Sequence, residues 1–276
     1  MKIPFTKLHG AKNDFLVSLA ADVPLTDLQE LAIAICNRHT GVGGDGWILL
    51  DRTEGPDYDA TMRLFNSDGS EPEISGNGTR CVALLVVAAA GGGEGAGAGR
   101  GAETVRIRTG AGVKQLRLIS VSAKQEYQFE MNMGRVRVLE PRATVQGLDA
   151  VIVDAGNPQC AIPVEDFEFD WRAAGSAIEH DARFPNRTNV SFIRAIDPHT
   201  IEVRFWERGA GETKSSGTGS SGAAVAAIAR GFAESPVSVL TPAGPLKVRT
   251  DDDVYLTGPT EFVADGFYHY GRIVTG

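Results

Sequence analysis

The strongest constraint on the fold is a short motif that occurs twice. Residues 75–78 (Ser-Gly-Asn-Gly) and 216–219 (Ser-Gly-Thr-Gly) begin 141 positions apart, about half of this 276-residue chain. An apolar segment follows each copy, at residues 80–90 and 223–232. A segment that is apolar all round is typical of a helix surrounded by protein. The repeat therefore predicts two similar halves, each with strands around one buried helix and the motif at its N-terminus.

Most of the remaining chain has the alternating pattern of β-strands. Half-buried strands are predicted where every second residue is apolar and Gly, Asp or Pro punctuates the ends. These runs are residues 105–108, 116–121, 127–133, 200–206 and 246–249. One amphipathic helix is predicted over residues 28–39, with Thr26 and Gln29 in capping-box spacing and Leu28, Leu31, Ala32, Ile35 and Cys36 on its buried face.

The predicted fold class is α+β, with two pseudo-symmetric halves. Each half is expected to be a mostly antiparallel β-barrel-like sheet around a central apolar helix. The first half covers residues 1–122 and regains the aromatic-rich segment 263–276 as a strand, and the second covers residues 123–262. The glycine- and alanine-rich residues 91–102 are predicted to form a surface loop within the first half. We expect the cleft between the halves to be the functional site, with Ser75 and Ser216 facing each other across it.

Composition excludes several kinds of partner. The net charge of -8 repels phosphate backbones and anionic lipid surfaces, so neither nucleic acid nor a membrane is expected. The longest apolar run, residues 81–90, is too short to span a bilayer. Three widely spaced cysteines without a CxxC pair indicate neither a disulfide framework nor a zinc site. We expect a cytoplasmic protein, and the sequence allows a homodimer.

No metal or cofactor is predicted. The five histidines lack HExxH or HxH spacing. Residues 41–46 match GxGxxG, but a helix precedes the glycines and a strand follows, whereas a dinucleotide fingerprint needs the opposite order. This stretch is interpreted as a helix end and a tight turn.

The repeated motif has two interpretations. A helix N-terminus presents unpaired backbone N–H groups and a positive dipole, so each turn is a potential carboxylate site. Alternatively, Ser75 and Ser216 only cap their helices, a position that favours serine. The duplication favours the carboxylate site. Glu207 beside Arg208 offers an acceptor for an ammonium group and a donor for a carboxylate, which suits an amino acid end, although a strand-end ion pair is an equal alternative.

Several motifs together resemble one known family. The segments that carry the resemblance are residues 9–15 (HGAKNDF), 63–69 with 75–81, 109–112, 156–158 (GNP), 188–190 (TNV) and 207–219. In this order they are similar to the motifs of diaminopimelate epimerase over nearly the whole chain. The resemblance implies cofactor-independent inversion at an amino acid α-carbon. It also implies that the backbone of Gly76, Asn77, Gly217 and Thr218 holds the α-carboxylate, and that the distal amino acid end is held by Asn13, Asn66, Asn157, Asn189, Glu207 and Arg208.

The chain departs from the family at its centre. The family has a cysteine at each of the positions of Ser75 and Ser216, one removing the α-proton and the other returning a proton from the opposite face. Gln159 stands where a histidine is usual, and Gly46 where a glutamine is often found. Ionising serine instead of cysteine costs on the order of 10 kcal/mol, at about 1.4 kcal/mol per pKa unit, and a helix dipole returns only about 1–2 kcal/mol.

Three explanations of the serines stay open at this point. They are engineered replacements, natural replacements in a paralogue with another activity, or bases assisted by an unidentified neighbour. The leading functional hypothesis is an epimerase with Ser75 and Ser216 as its catalytic pair, acting on diaminopimelate in lysine and peptidoglycan precursor synthesis. The alternatives are another isomerase of the same fold, proline racemase-like or PhzF-like, and an amino acid-binding protein that has lost the chemistry.

Overall fold

The computed structural model describes residues 1–24, 26–89 and 104–271. The described residues form the α-helices α1 Leu28–Cys36, α2 Gly76–Val87, α3 Trp171–Glu179 and α4 Gly217–Ala229. The strands are β1 Lys2–Gly10, β2 Asn13–Leu19, β3 Gly46–Asp51, β4 Ala60–Asn66, β5 Thr104–Thr109, β6 Gly112–Val121, β7 Tyr127–Gly134, β8 Arg137–Val145, β9 Leu148–Asp154, β10 Pro158–Pro163, β11 Asn189–Asp197, β12 Thr200–Glu207, β13 Gly211–Thr213, β14 Val237–Thr241, β15 Gly244–Thr250 and β16 Val254–His269. The predicted loop at residues 91–102 lies outside the described residues.

The chain divides into two compact units. The first consists of residues 1–130 and 259–276, and the second of residues 131–258. The halves drawn from the sequence, 1–122 with 263–276 and 123–262, differ from these units by a few residues. Those halves remain a proposal about how the duplicated sequence is divided.

The first unit is a closed barrel around α2. Its strands follow the order β1-β2-β3-β4-β5-β6-β7-β16, and the ring closes because β16 also pairs with β1. The closing pairs run from Lys2 opposite His269 to His9 opposite Glu261. Helix α2 contacts β1, β2, β4 and β5, and its residues from Cys81 to Leu84 are fully buried. The helix therefore forms the centre of the first unit.

The second unit is built in the same way around α4. Its strand order is β16-β15-β14-β12-β11-β10-β9-β8, with β13 paired to β12 at the side. Helix α4 contacts β8, β9, β10, β11, β12, β14 and β15. Small residues let strands approach this helix on several sides, and Ser220 to Ala224 are almost fully buried.

The order of strand directions confirms that the two units repeat one plan. In the first unit, the successive pairs from β1 to β6 are antiparallel, parallel, antiparallel, parallel and antiparallel. In the second unit, the pairs along β9, β10, β11, β12, β14 and β15 have the same order. In both units the central helix lies in the connection between the second pair of parallel strands, which is β4 and β5 for α2 and β12 and β14 for α4. The predicted α+β class with two pseudo-symmetric halves is therefore confirmed.

The predicted helices differ from the observed ones at their ends. Helix α1 buries the five predicted residues but ends at Cys36, because the Asn37 side chain accepts from the N–H groups of His39 and Thr40 and forms a turn. The predicted capping box is wrong: Asp27, with φ 59°, precedes the helix and its side chain makes no capping bond. Helices α2 and α4 begin at Gly76 and Gly217, earlier than their apolar runs.

Helix α3 was not predicted from the sequence. It begins after Asp170, whose carboxylate accepts from the backbone N–H of Ala173 at 3.0 Å. Its apolar face is short, with Trp171 and Ile178 packed into the core of the second unit beside Phe192. None of the helices in the described ranges is long and apolar enough to cross a membrane.

Candidate active site

The first Ser-Gly turn lies at the N-terminus of the central helix of the first unit. Ser75 has an extended backbone, with φ -130° and ψ 121°, and its Oγ accepts from the N–H of Gly78 at 3.2 Å. Its carbonyl oxygen accepts from the backbone and hydroxyl of Thr79 at 2.8 and 2.7 Å. Gly76 and Asn77 are the first helical residues, so their N–H groups have no acceptor within the helix. These two groups are available for an anion.

The second turn has the same geometry in the other unit. Ser216 has φ -137° and ψ 125°, and its Oγ accepts from the N–H of Gly219 at 3.1 Å. Gly217 and Thr218 are the first helical residues there. Both serines are therefore N-caps, as one interpretation of the motif predicts. Capping uses one lone pair of each hydroxyl oxygen and leaves its proton to be donated.

The last glycine of the second turn is required by packing. A Cβ at Gly219 would lie 2.9 Å from Phe205 Cδ1 and 2.9 Å from Ser216 Oγ. A Cβ at Gly217 would meet only Leu256 and Met133, at 3.4 and 3.8 Å. Gly219 therefore fixes the place of the Ser216 hydroxyl, whereas Gly217 faces more open space.

A chain of side-chain hydrogen bonds supports the first turn. Asn77 Nδ2 donates to Asn13 Oδ1 at 3.1 Å, and Asn13 Nδ2 donates to Asp45 Oδ2 at 2.7 Å. Arg38 bridges Asp45 and Asp14, at 2.8 and 2.7 Å. Burial by itself would raise the pKa of Asp14, but hydrogen bonds and charge from Arg38 and Lys7 outweigh it and lower that pKa to about 2. The side chains of Asn13 and Asn77 thus brace the turn.

Equivalent side chains support the second turn. Asn157 Nδ2 lies 3.4 Å from Thr218 Oγ1, and Gln159 Nε2 donates to Asn157 Oδ1 at 2.7 Å. Asn157 and Thr218 have the places in this unit that Asn13 and Asn77 have in the first. Gln159 is 1% exposed and its Oε1 has no hydrogen-bond partner among the described residues. Because an amide does not titrate near neutral pH, Gln159 cannot act as the acid or base that a histidine could be.

Glu207 contacts the second serine. It ends β12, its Oε1 accepts from Thr213 Oγ1 at 3.0 Å, and its carboxyl group lies close enough to the Ser216 hydroxyl for that hydroxyl to lower its pKa. Burial raises the pKa of Glu207, and the hydrogen bonds from Ser216 and Thr213 offset part of this rise. The contact forms because β13 pairs back onto β12, with Phe205 opposite Thr213. A carboxylate of raised pKa therefore lies beside the hydroxyl of Ser216.

The neighbouring turn presents a cation. Arg208 is exposed and forms no ion pair with any residue in the described ranges. Asn189 Oδ1 accepts from the Arg208 N–H at 3.1 Å, while Asn189 Nδ2 donates to the Pro158 carbonyl at 3.0 Å. The buried Glu179 accepts from Trp206 Nε1 at 2.8 Å and from the Gly209 N–H at 2.9 Å. These bonds hold the turn. The exposed guanidinium donates from Nη1 to the Asn186 carbonyl oxygen at 3.1 Å, and its other N–H groups are available for a carboxylate.

The remaining sequence candidates have simpler surroundings. Asn66 Nδ2 donates to Ser70 Oγ at 2.9 Å within the turn after β4. Cys81 is fully buried in α2, and burial raises the pKa of its thiol to about 11, so it does not replace a catalytic cysteine.

Within the described parts of the chain, no group of three or more His, Cys, Asp or Glu side chains could hold a metal ion. A Cβ at Gly46 would lie 2.9 Å from the Phe65 carbonyl oxygen, so the backbone there fits glycine.

Comparison with known proteins identifies the family. The family model described as diaminopimelate epimerase matches residues 5–139 and 151–263. The chain belongs to the diaminopimelate epimerase family. A diaminopimelate epimerase of Microcystis aeruginosa is 37% identical over 281 residues, covering 97% of this chain and 99% of the relative. Membership in the diaminopimelate epimerase family supports an amino acid epimerase of this fold, and hence an isomerase.

Solved structures have the same fold at low identity. A hydroxyproline epimerase from Agrobacterium vitis superimposes with a TM-score of 0.71 at 14% identity, covering 99% of this chain and 94% of that chain. A PhzF-family phenazine biosynthesis protein of Bacillus anthracis has a TM-score of 0.69 at 15% identity, covering 97% and 99%. At these identities the similarity establishes the fold alone.

Sequence reasoning missed three supporting residues. It treated Glu207 only as part of a distal clamp, although the hairpin formed by β12 and β13 brings it to Ser216. Glu179 lies in the helix that was not predicted. Arg80 is a charged residue at the start of an apolar run, and this signal was visible in the sequence but was not interpreted.

Proposed function

We propose that this protein is a cofactor-independent epimerase that converts LL- to meso-diaminopimelate by inversion at one α-carbon. The observation that carries the proposal is the Ser-Gly turn at the N-terminus of the central helix in both units, within a chain that matches diaminopimelate epimerases over nearly its full length. The product serves lysine and peptidoglycan precursor synthesis. Ser75 and Ser216 are its catalytic pair in this proposal.

Binding of the substrate would use both turns and the cation beside them. The α-carboxylate is held by the backbone N–H groups of Gly76, Asn77, Gly217 and Thr218, where helix dipoles favour an anion. The distal carboxylate pairs with Arg208, whose turn Asn189 and Glu179 hold in place. Asn13, Asn66 and Asn157 complete the polar surroundings of the distal end in this proposal. Two helix N-termini that bind one carboxylate would require the serines to lie on opposite faces of the α-carbon.

The contact between Glu207 and Ser216 supplies the assistance that serine chemistry needs. A free alkoxide costs on the order of 10 kcal/mol more than a thiolate, at about 1.4 kcal/mol per pKa unit. We propose that Ser216 Oγ takes the α-proton while its own proton passes to the Glu207 carboxylate, so that no free alkoxide forms. The C–H electron pair moves into the α-carboxylate. Ser75 delivers a proton to the other face of the α-carbon as it takes one from water, and the hydroxide that remains is neutralised when Glu207 releases its proton to solvent.

A second candidate is a binding protein without catalysis. The replacement of both family cysteines by serine favours a binding protein, because ionisation of serine is unfavourable at both catalytic positions. A proline racemase-like or PhzF-like isomerase is the other alternative, and the exposed Arg208 argues against it because a small cyclic substrate has no second carboxylate to pair with that cation.

Solvent deuterium exchange distinguishes these functions. The protein is incubated in D2O with LL-diaminopimelate, proline or hydroxyproline, and deuterium at the α-carbon is measured by NMR and mass spectrometry. An epimerase incorporates deuterium into diaminopimelate only. Exchange confined to proline or hydroxyproline would identify another isomerase. A melting temperature raised by diaminopimelate without any deuterium in the ligand would identify a binding protein.

We also propose a cytoplasmic location and leave the homodimer as a prediction. The location follows from the amino acid substrate and from three buried cysteines, Cys36, Cys81 and Cys160, which are free thiols. Cell fractionation tests the location. Light scattering of the purified protein at several concentrations tests the dimer.

A further inference from the structure

Arg80 is a buried cation in the centre of the first unit. It lies in α2, is 0% exposed, and forms no ion pair with any carboxylate in the described ranges. Its Nη2 donates to Asn77 Oδ1, its Nε lies 3.4 Å from the Pro259 carbonyl oxygen, and its Nη1 has no hydrogen-bond partner among the residues that the structure describes. Burying a charge without an ion-pair partner strongly disfavours folding. Such a residue calls for a reason other than stability.

The surroundings of Arg80 add positive charge. Its guanidinium reaches the side chain of Asn77, the second residue of α2, where the helix dipole is already positive. Burial lowers the pKa of Arg80 to about 10, so the side chain remains charged at neutral pH. Asp45 is connected to Arg80 only through the amides of Asn77 and Asn13. Two sources of positive potential therefore act at one helix terminus.

The second unit shows that this charge is not needed to build the barrel. The residue five positions after Ser216 is Ser221, as Arg80 is five positions after Ser75. Ser221 is uncharged, and its hydroxyl donates to the Gly217 carbonyl oxygen at 2.9 Å. The same central helix thus forms with a small neutral residue at this place. The charge is a specific feature of the first turn.

We propose that Arg80 is a positioning residue that makes the first turn of α2 the stronger anion site and stabilises the charge that develops on a bound carboxylate. This inference rests on the proposed function. When the α-C–H bond breaks, the proton goes to the base and the electron pair moves into the carboxylate, which becomes doubly negative. A fixed positive charge behind the N–H groups of Gly76 and Asn77 stabilises this state more than the bound substrate. Arg80 acts through its charge, which its hydrogen bond to the Asn77 side chain holds at this helix terminus, and it does not touch the substrate.

The test replaces Arg80 in the full-length protein. Arg80→Met keeps a long apolar stem without charge, Arg80→Gln is a second neutral variant, and Arg80→Lys keeps the charge. Ser221→Ala is the matched control at the equivalent place. Formate affinity is read from the rise in melting temperature, and kcat and KM for α-proton exchange are measured separately.

The proposal predicts a specific pattern. Arg80→Met binds formate at least tenfold more weakly and loses at least 100-fold in kcat, with a smaller change in KM, while its melting temperature stays at or above that of the parent. Arg80→Lys keeps formate affinity within about threefold. Ser221→Ala changes neither formate affinity nor kcat by more than about threefold. Formate binding is informative even if the parent protein exchanges no amino acid proton, so failure of the proposed function is seen separately.

Three results would overturn it. The first is a folded Arg80→Met protein with unchanged formate affinity. The second is an Arg80→Lys protein that loses as much affinity as Arg80→Met, which would mean that charge is not the property that matters. The third is a chain that fails to fold with either Met or Gln at this position but folds with Lys, which would assign the charge to the stability of α2.

Discussion

Glu207 and Asn66 occupy equivalent places in the two units. Each is the last residue of its strand, and each lies nine positions before the serine that caps the central helix. One unit thus carries a carboxylate at this place and the other carries an amide. Since a carboxylate can accept a proton and an amide cannot, the two serines differ in chemistry although their capping geometry is the same.

The Glu207 carboxylate should be essential for exchange. Glu207→Gln keeps the shape and removes the proton acceptor, so we expect α-proton exchange to fall by about 10²–10⁴-fold. Glu212→Gln is the control, because Glu212 lies on the same hairpin but pairs with the exposed Arg172 at 2.6 Å. Rates are measured by deuterium incorporation. If the exchange rate of the Glu207→Gln variant is within a factor of two of the parent's rate, Glu207 is excluded as the proton acceptor.

The same residue predicts a pH dependence of stability. Burial raises the pKa of Glu207 above its ordinary 4.5, so the folded state binds a proton at pH values where the unfolded chain has lost it. Stability contributed by this group therefore decreases as pH rises from about 4.5 through the folded pKa. Glu207→Gln should remove this decrease, as measured by urea unfolding at pH 4 to 8. An unchanged slope would show that Glu207 is not the group responsible.

Asp14 predicts the opposite slope at lower pH. Its pKa in the folded state is about 2, against 3.8 for the free side chain, because Lys7 and Arg38 favour its ionised form. The unfolded chain takes up the proton first, so about 2 kcal/mol of stability is lost as pH falls from about 4 to 2. Asp14→Asn should flatten this loss in denaturant titrations. Asp22→Asn, a change at an exposed residue, serves as the control and should leave the loss in place.

The sequence predicted the plan of the fold but only part of the site. Apolar periodicity and the duplicated turn were sufficient to predict the two barrels. Burial of apolar side chains determines both which helices are central and which face of each strand is apolar. The contact between Glu207 and Ser216 depends on β13 pairing back onto β12, and three residues give no periodicity to detect. Arg80 escaped interpretation because a sequence does not show whether a buried arginine pairs with a carboxylate, and among the described residues its side chain donates to an amide instead.

Cysteine at the two capping positions should increase activity. We expect Ser75→Cys with Ser216→Cys to raise α-proton exchange on diaminopimelate by orders of magnitude, because a thiol ionises close to neutral pH. Each single change should help less, since inversion needs a donor and an acceptor on opposite faces. Binding is measured by calorimetry beside exchange. A double variant that binds diaminopimelate without faster exchange would contradict the thiol argument, and one that does not bind would contradict the assignment of the distal clamp.

The two glycines of the second turn should tolerate alanine differently. Gly219→Ala places a methyl group 2.9 Å from both Phe205 and Ser216, so we expect a loss of about 1–3 kcal/mol in the free energy of unfolding. Gly217→Ala makes only ordinary contacts at 3.4 Å or more and should be neutral or slightly stabilising. Urea unfolding of both variants gives the comparison. Equal stability of the two proteins would mean that the packing around Ser216 adjusts freely.

The closing strand of the first barrel imposes an order on biosynthesis. The pairs between β1 and β16 join residue 2 to residue 269, so a ribosome must reach residue 269 before that barrel can close completely. Residues 131–258 form a contiguous unit and are all available earlier. The half that is translated first is therefore completed last, and its unpaired β1 edge stays exposed during most of synthesis. Until β16 is synthesised, that free edge can pair with strands of other chains, so the first unit is the part of this protein with the greater aggregation hazard during synthesis.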